Sequence, residues 1–141
     1  MEIDYLILAD AAAAENGKHY IHGGGWTQIN ATAFPVTHPM MGVAIRLRVP
    51  WTDTNEEHEI GIDMVDADGT SILPSGPLRG KMNVGRPPQV RPGTDQCVPL
   101  AFSFVGLAFE QAGDFAVIGR IDGIDRVRTA FRVVDIAAPT S

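Results

Sequence analysis

From Val98 to Val134 apolar and polar positions alternate with a period of two, interrupted once by Asp122-Gly123. That period sends successive side chains to opposite faces of a strand, so this third of the chain reads as sheet with one tight reversal. The apolar set is Phe115, Val117 and Ile121 before the reversal and Val127, Phe131 and Val133 after it, with Arg126, Arg128 and Arg132 opposite. A bare two-residue loop at Asp122-Gly123 would set Ile121 against Ile124 and Val117 against Arg128, mixing the faces. Because a slip of one residue turns a whole strand over, the buried face selects a pairing of Ile121 with Asp125 and Phe115 with Phe131. This register predicts a three-residue loop with Gly123 at positive φ, or an equivalent bulge.

The rest of the chain carries the same signal in shorter pieces. Ile3 to Ala9 is an apolar run that predicts a strand covered on both faces. Ala11 to Ala14 behind Asp10 would suit a helix, but Asn16-Gly17 arrives after roughly one and a half turns, and a helix that short is marginal. Asn-Gly instead predicts a reversal at Glu15 to Lys18 feeding a strand from Lys18 to His22. Gly23-Gly24-Gly25 breaks the pattern before Trp26 to Phe34 resumes it. Val43, Ile45, Leu47 and Val49 alternate with Ala44, Arg46 and Arg48 in a half-buried strand stopped by Pro50. His58, Ile60, Ile62 and Met64 line the next, and Asp66-Ala67-Asp68-Gly69 turns it back toward Thr70 to Leu73. Prolines and glycines from Pro74 to Gly93 mark long loops around one edge strand, Leu78 to Val84. Val98, Leu100, Phe102 and Phe104 then face inward. The expectation is an all-β fold, an antiparallel β-sandwich (immunoglobulin-like or C2-like) of eight to ten short strands, as a single domain over residues 1–141.

Composition narrows the class. A chain of 141 residues buries about two thirds of its unfolded surface as one domain, and 45% hydrophobic with 20% charged residues excludes a disordered or fibrous protein. Eleven bases, nine of them arginine, against seventeen acids give a net charge of −6, which makes a nucleic-acid backbone a poor partner. The charge is segregated: Asp53 to Asp68 holds seven carboxylates and no base, while Arg79 to Arg91 holds four bases and no acid. Such patches offer a head-to-tail contact between copies, beside the plainer reading of solvated strand faces. Cys97 is the only cysteine, which excludes an internal disulfide and points to a reducing compartment. The start lacks the basic and apolar regions of a secretion signal, and no stretch has the length of a membrane span. A soluble cytoplasmic protein with no membrane partner is expected.

Several stretches carry a resemblance. They are Leu8-Ala9-Asp10-Ala11-Ala12, Asn16-Gly17-Lys18-His19-Tyr20, Gly23-Gly24-Gly25-Trp26, Val49-Pro50-Trp51-Thr52-Asp53-Thr54-Asn55, Gly85-Arg86-Pro87-Pro88 and Asp114-Phe115. Together the chain resembles, over nearly its whole length, a family of small bacterial proteins known only as a domain of unknown function. The resemblance implies a single β-sandwich and adds no catalytic residues.

No constellation commits the chain to a chemistry. Gly23-Gly24-Gly25 lacks the following helix of a phosphate cradle and reads as a bulge or bend. Asp63, Asp66 and Asp68 would suit calcium at a sandwich rim, but no bidentate Glu follows at the needed spacing, and Asp and Gly serve turns. His19 and His22, three apart on a strand, point to opposite faces. His58 reads as a hydrogen-bonded core or rim histidine, and Cys97 has no identifiable base. The surface singled out is the pair of loops bearing Trp51, Asp53 and Asn55, and Arg86, Pro87, Pro88 and Arg91, where an aromatic sits beside polar turn residues and a stiff proline segment. Against it stands Trp51 as a cap on the core. The reading is a non-enzymatic β-sandwich module acting through a protein partner or self-association, with no cofactor or metal. The alternatives are a carbohydrate or small-ligand sandwich stacking on Trp26, Trp51 and Tyr20, and a metal-dependent hydrolase.

Overall fold

Both expected hairpins form. Asn16 and Gly17 take φ of 52° and 73°, and Asp122 and Gly123 take 52° and 78°, the two consecutive left-handed residues of a tight strand reversal. The second differs from expectation in one detail. Ile121 pairs with Ile124 across a bare two-residue loop, and the pairing then shifts between Gly119 and Arg120, so Arg126 is an extra residue. Below that bulge Gly119 meets Val127 and Phe115 meets Phe131. The buried face therefore did select the lower register, but the correction is made by a bulge inside the strand, leaving the Asp-Gly turn free to take its preferred geometry.

The computed structural model describes residues 1–137. Its strands are β1 (Glu2–Glu15), β2 (Lys18–Gly24), β3 (Gln28–Ala31), β4 (Val36–Val49), β5 (Glu57–Val65), β6 (Leu78–Asn83), β7 (Gln96–Phe109), β8 (Gly113–Ile121) and β9 (Ile124–Asp135), with one turn of 3-10 helix at Trp51–Asp53. They form two sheets, β2-β1-β4-β7 and β3-β9-β8-β5-β6. This is an all-β sandwich. Leu8, Met41, Val43, Ile45, Leu47 and Val49 of the first sheet pack on Ile62, Met64, Val117, Ile121 and Phe131 of the second, all essentially without solvent contact. Burial of each such side chain is worth about 1.5–3 kcal/mol. Phe109, Phe115 and Phe131 close one end of this core, with ring centroids 5.0 to 6.0 Å apart. No helix among the described residues is long and apolar enough to cross a membrane.

Two expectations are corrected. Pairing is not wholly antiparallel: β3 runs parallel to β9, Gln28 beside Arg132 and Ala31 beside Asp135. The chain reaches it by leaving the first sheet after the glycines and crossing to the second, which four residues of alternating pattern do not reveal. Thr70 to Leu73 is not a strand either. It makes a single bridge, Ser71 to Val65, and one further bond from the Ile72 N–H to the Met64 carbonyl at 2.8 Å. Ile72 and Leu73 pack against the core instead, and Pro74, with no N–H, ends the pairing.

β1 also runs further than the apolar run that suggested it. Its ladder with β4 stops at Ala9 and Gly42, yet it continues through the alanines paired only with β2. A Cβ on Gly42 would lie 2.7 Å from the Ala12 nitrogen, so the alanine stretch passes directly over Gly42 on the outer face of its own sheet. Ala44, on the same strand two residues on, is fully buried. His19 pins the hairpin: Nε2–H donates to the Leu100 carbonyl of β7 at 2.9 Å and Nδ1 accepts from the Tyr5 hydroxyl at 2.8 Å. Small side chains over a glycine let two layers of backbone approach without a void, which gives Ala11 to Ala14 a packing role.

Candidate interaction surface

Pro50 stops β4 and turns the chain out at one end of the sandwich. The Asp53 N–H bonds the Pro50 carbonyl at 2.9 Å, and the buried Thr54 donates its hydroxyl to the Trp51 carbonyl at 2.6 Å. Over this turn lies Arg86, from the segment between β6 and β7. Its guanidinium carbon sits 3.9 Å from the centre of the Trp51 ring, Nε donates to Thr54 Oγ1 at 2.5 Å, and Nη2 donates to the Trp51 carbonyl at 2.8 Å. Asn55 N–H bonds the Val84 carbonyl at 2.8 Å, and Gln96 Nε2 donates to the Gly85 carbonyl at 2.8 Å. The stack contributes about 0.5–1 kcal/mol at an exposed site.

Beyond the clamp the loop carries two further turns, Val90 N–H to the Pro87 carbonyl at 2.9 Å and Thr94 N–H to the Arg91 carbonyl at 3.2 Å. Pro87, Pro88 and Arg91 are exposed on it. Trp51 is half-buried yet stands outside the hydrophobic core, whereas Trp26 packs against the core. Of the residues singled out, Trp51 and Arg86 thus meet, Asn55 ties the turn to Val84 just before Arg86, and Pro87, Pro88 and Arg91 follow on the same loop. Asp53 looks elsewhere, its carboxylate taking the amino group of Met1.

One pair here had no signal in the spacing. His58 Nδ1 and Asp122 Oδ2 lie 2.9 Å apart, joining the start of β5 to the β8–β9 turn, while His58 Nε2 donates to the Asp53 carbonyl at 3.1 Å. The bond to Asp122 holds the His58 imidazole above its ordinary value, and burial opposes this only in part. The bond to His58, with that from the Glu59 N–H, holds the Asp122 carboxyl below the usual range. His58 is therefore a rim histidine locking a turn to a strand.

The other candidates are occupied by structure. Asp63 is buried, accepting from Ser71 Oγ at 2.7 Å and facing Arg120 at 3.3 Å, while Asp66 Oδ1 accepts from the Asp68 and Thr70 N–H groups. Among the described residues no three His, Cys, Asp or Glu side chains gather as a metal site. The acidic and basic segments meet within the chain, Glu59 opposite Lys81 and Glu57 3.5 Å from Lys81 across β5 and β6. Trp26, Trp51 and Tyr20 do not line up: Trp26 packs edge-on against His38 and Phe131, near the start of β4, and Trp51 follows its end.

Comparison with known proteins adds three findings. No curated protein matches the chain. Among solved structures it is similar to the Pseudomonas fluorescens alkylpurine DNA glycosylase AlkC bound to DNA containing an abasic site analog, at 10% identity and a TM-score of 0.44, over 94% of this chain and 30% of that one. The exclusion of nucleic acid drawn from net charge is corrected: a net charge of −6 says nothing about any one local face. The outer face of β9 presents Arg128 and Arg132 beside a hollow of about 420 Å³, and Arg126 and Arg128 have no carboxylate partner among the described residues. Lastly, the model of the family of unknown function DUF6941 matches residues 4–134, across all nine strands and the Trp51–Arg86 clamp, and this chain belongs to that family.

Proposed function

We propose that the protein is a non-enzymatic module, an immunoglobulin-like or C2-like sandwich of the bacterial cytoplasm, that binds another protein through the loop Val84 to Asp95. One observation carries the reading: Arg86 uses its ring stack and two hydrogen bonds to hold an irregular proline segment on a fixed base. A loop ordered in advance loses less conformational entropy when it binds. Prolines add apolar contact at little entropic cost, and Arg91 adds a planar donor suited to carboxylates. The partner surface that fits is apolar with an acidic rim.

Affinity capture with the wild-type chain and with Pro87→Ser/Pro88→Ser/Arg91→Glu, side by side, tests the reading. The triple change lies on exposed loop positions, so its melting temperature stays within a few degrees of wild type and its captured partner is lost. Capture of the same protein in the same amount by both baits would place the surface elsewhere.

A further inference from the structure

The outer face of the second sheet carries a small apolar cluster of its own. Val65, Ala116 and Ile118 alternate with the core-facing Met64 and Val117, so they point away from the core, yet all three are buried. Ala116 pairs with Ala130 of β9, and Arg128 and Arg132 stand on either side of Ala130 on the same strand face. Strand faces are ordinarily filled by branched or aromatic side chains. Short methyl groups between long arginines instead leave a hollow of about 420 Å³, bounded by Thr27, Ala67, Asp114, Arg128, Ala130 and Arg132. That volume falls in the range of small-molecule sites, about 300–1,000 Å³.

The walls of the hollow are fixed by hydrogen bonds to the backbone. The Thr27 carbonyl accepts from the Arg132 N–H at 2.8 Å, and Ala67 rides on a turn closed by Asp66, whose Oδ1 accepts from the Asp68 and Thr70 N–H groups. Charge is unequal from one end to the other. Arg132 Nε lies 3.4 Å from Asp114 Oδ1, whereas Arg128, and Arg126 two residues before it, have no carboxylate partner among the described residues. Arg46, Arg48 and Arg120, on β4 and β8, each face one. Positive potential is therefore left uncompensated at the Arg128 end, beside an apolar floor.

We propose that this hollow, separate from the Val84 to Asp95 loop, binds a small organic oxyanion, a carboxylate or phosphate monoester carried on a flat apolar body. The Arg128 guanidinium takes the oxyanion through paired N–H donors, and Arg126 adds positive charge beside it. The apolar body lies over Ala130. At the far end the plane of Arg132, its charge offset by Asp114, gives a flat ring a surface to stack on. The Asp114 carboxylate repels an anionic group at that end, which sets the direction of the ligand.

Backbone amide chemical shifts, followed by nuclear magnetic resonance during titration with benzoate, phenyl phosphate and neutral benzamide, test it. Benzoate or phenyl phosphate moves the amides of residues 114–116 and 128–132 with a dissociation constant in the millimolar range or tighter, and the tighter of the two identifies the oxyanion. Benzamide, of the same shape as benzoate without the charge, binds at least about tenfold more weakly. Arg128→Gln removes the charge and Ala130→Leu fills the hollow, and each weakens binding of the anion by about tenfold. Both positions are exposed, so the fold and its circular dichroism persist in each variant. Unmoved amides at millimolar anion, benzamide binding as tightly as benzoate, or unchanged binding in either variant overturns the proposal.

Discussion

The two tryptophans lie near opposite ends of β4 and have opposite uses. Trp26 stands edge-on to Phe131 at 6.4 Å and packs against the core, joining the short parallel strand β3 to the rest. Trp51 leans on no core residue cluster. It lies under a guanidinium, with its carbonyl accepting from Arg86 and Thr54. One end of the sandwich is therefore closed by apolar packing and the other by polar contacts that order a loop. The difference teaches that an aromatic beside turn residues is assigned by what lies over its ring, and that the two ends should fail in different ways when cut.

The largest effect is expected at the packed end. Trp26→Ala should cost about 2–4 kcal/mol by opening a cavity beside Phe131, a fall in melting temperature of roughly 10 °C. Thermal unfolding by circular dichroism measures it directly. Arg86→Ala should cost about 1–2 kcal/mol, because a stack and two hydrogen bonds, one of them to the buried Thr54, are lost without a core cavity, and the melting temperature should fall by only a few degrees. Equal losses at the two positions would dissolve the comparison.

The smallest effect is a dependence on pH at the Trp51 end alone. The His58 imidazole is held above its unfolded value of about 6.5 by Asp122, so the stability it contributes is complete below that pH and is lost as pH rises through the folded value. Asp122 is held low, so its contribution stands above the ordinary carboxylate range and is lost as pH falls through its folded value. Melting temperature should therefore decline from pH 6 toward pH 8, and Asp122→Asn should flatten the decline. A slope that survives this substitution would assign it to another group.

Much of the fold was legible because strand chemistry is local. Asn16-Gly17 and Asp122-Gly123 announce their hairpins, and the demand that Phe115 face Phe131 settles the register of the last two strands. The bulge at Arg126 was legible only as a necessity, since the same shift inside the loop would satisfy the same faces. The parallel seat of β3 and the folding of the alanine hairpin over Gly42 depend on contacts between distant segments, and no residue spacing encodes them. The site divides in the same way. Pro50-Trp51 reads as an exit from a strand, and Arg86 as part of a stiff loop, but the bond from Arg86 to the Trp51 carbonyl spans 35 positions and that from His58 to Asp122 spans 64. Composition suggested that the two loops mattered, and only the fold could show that one holds the other.

The most direct test of a binding end distinct from the core is Trp51→Ala, measured twice on the same preparation, for melting temperature and for capture of the partner that wild type retains. The account predicts a melting temperature within a few degrees of wild type and a loss of capture of about tenfold or more as the Arg86 loop loosens. Undiminished capture, or a melting temperature as low as that of Trp26→Ala, would contradict it and make Trp51 a second cap on the core.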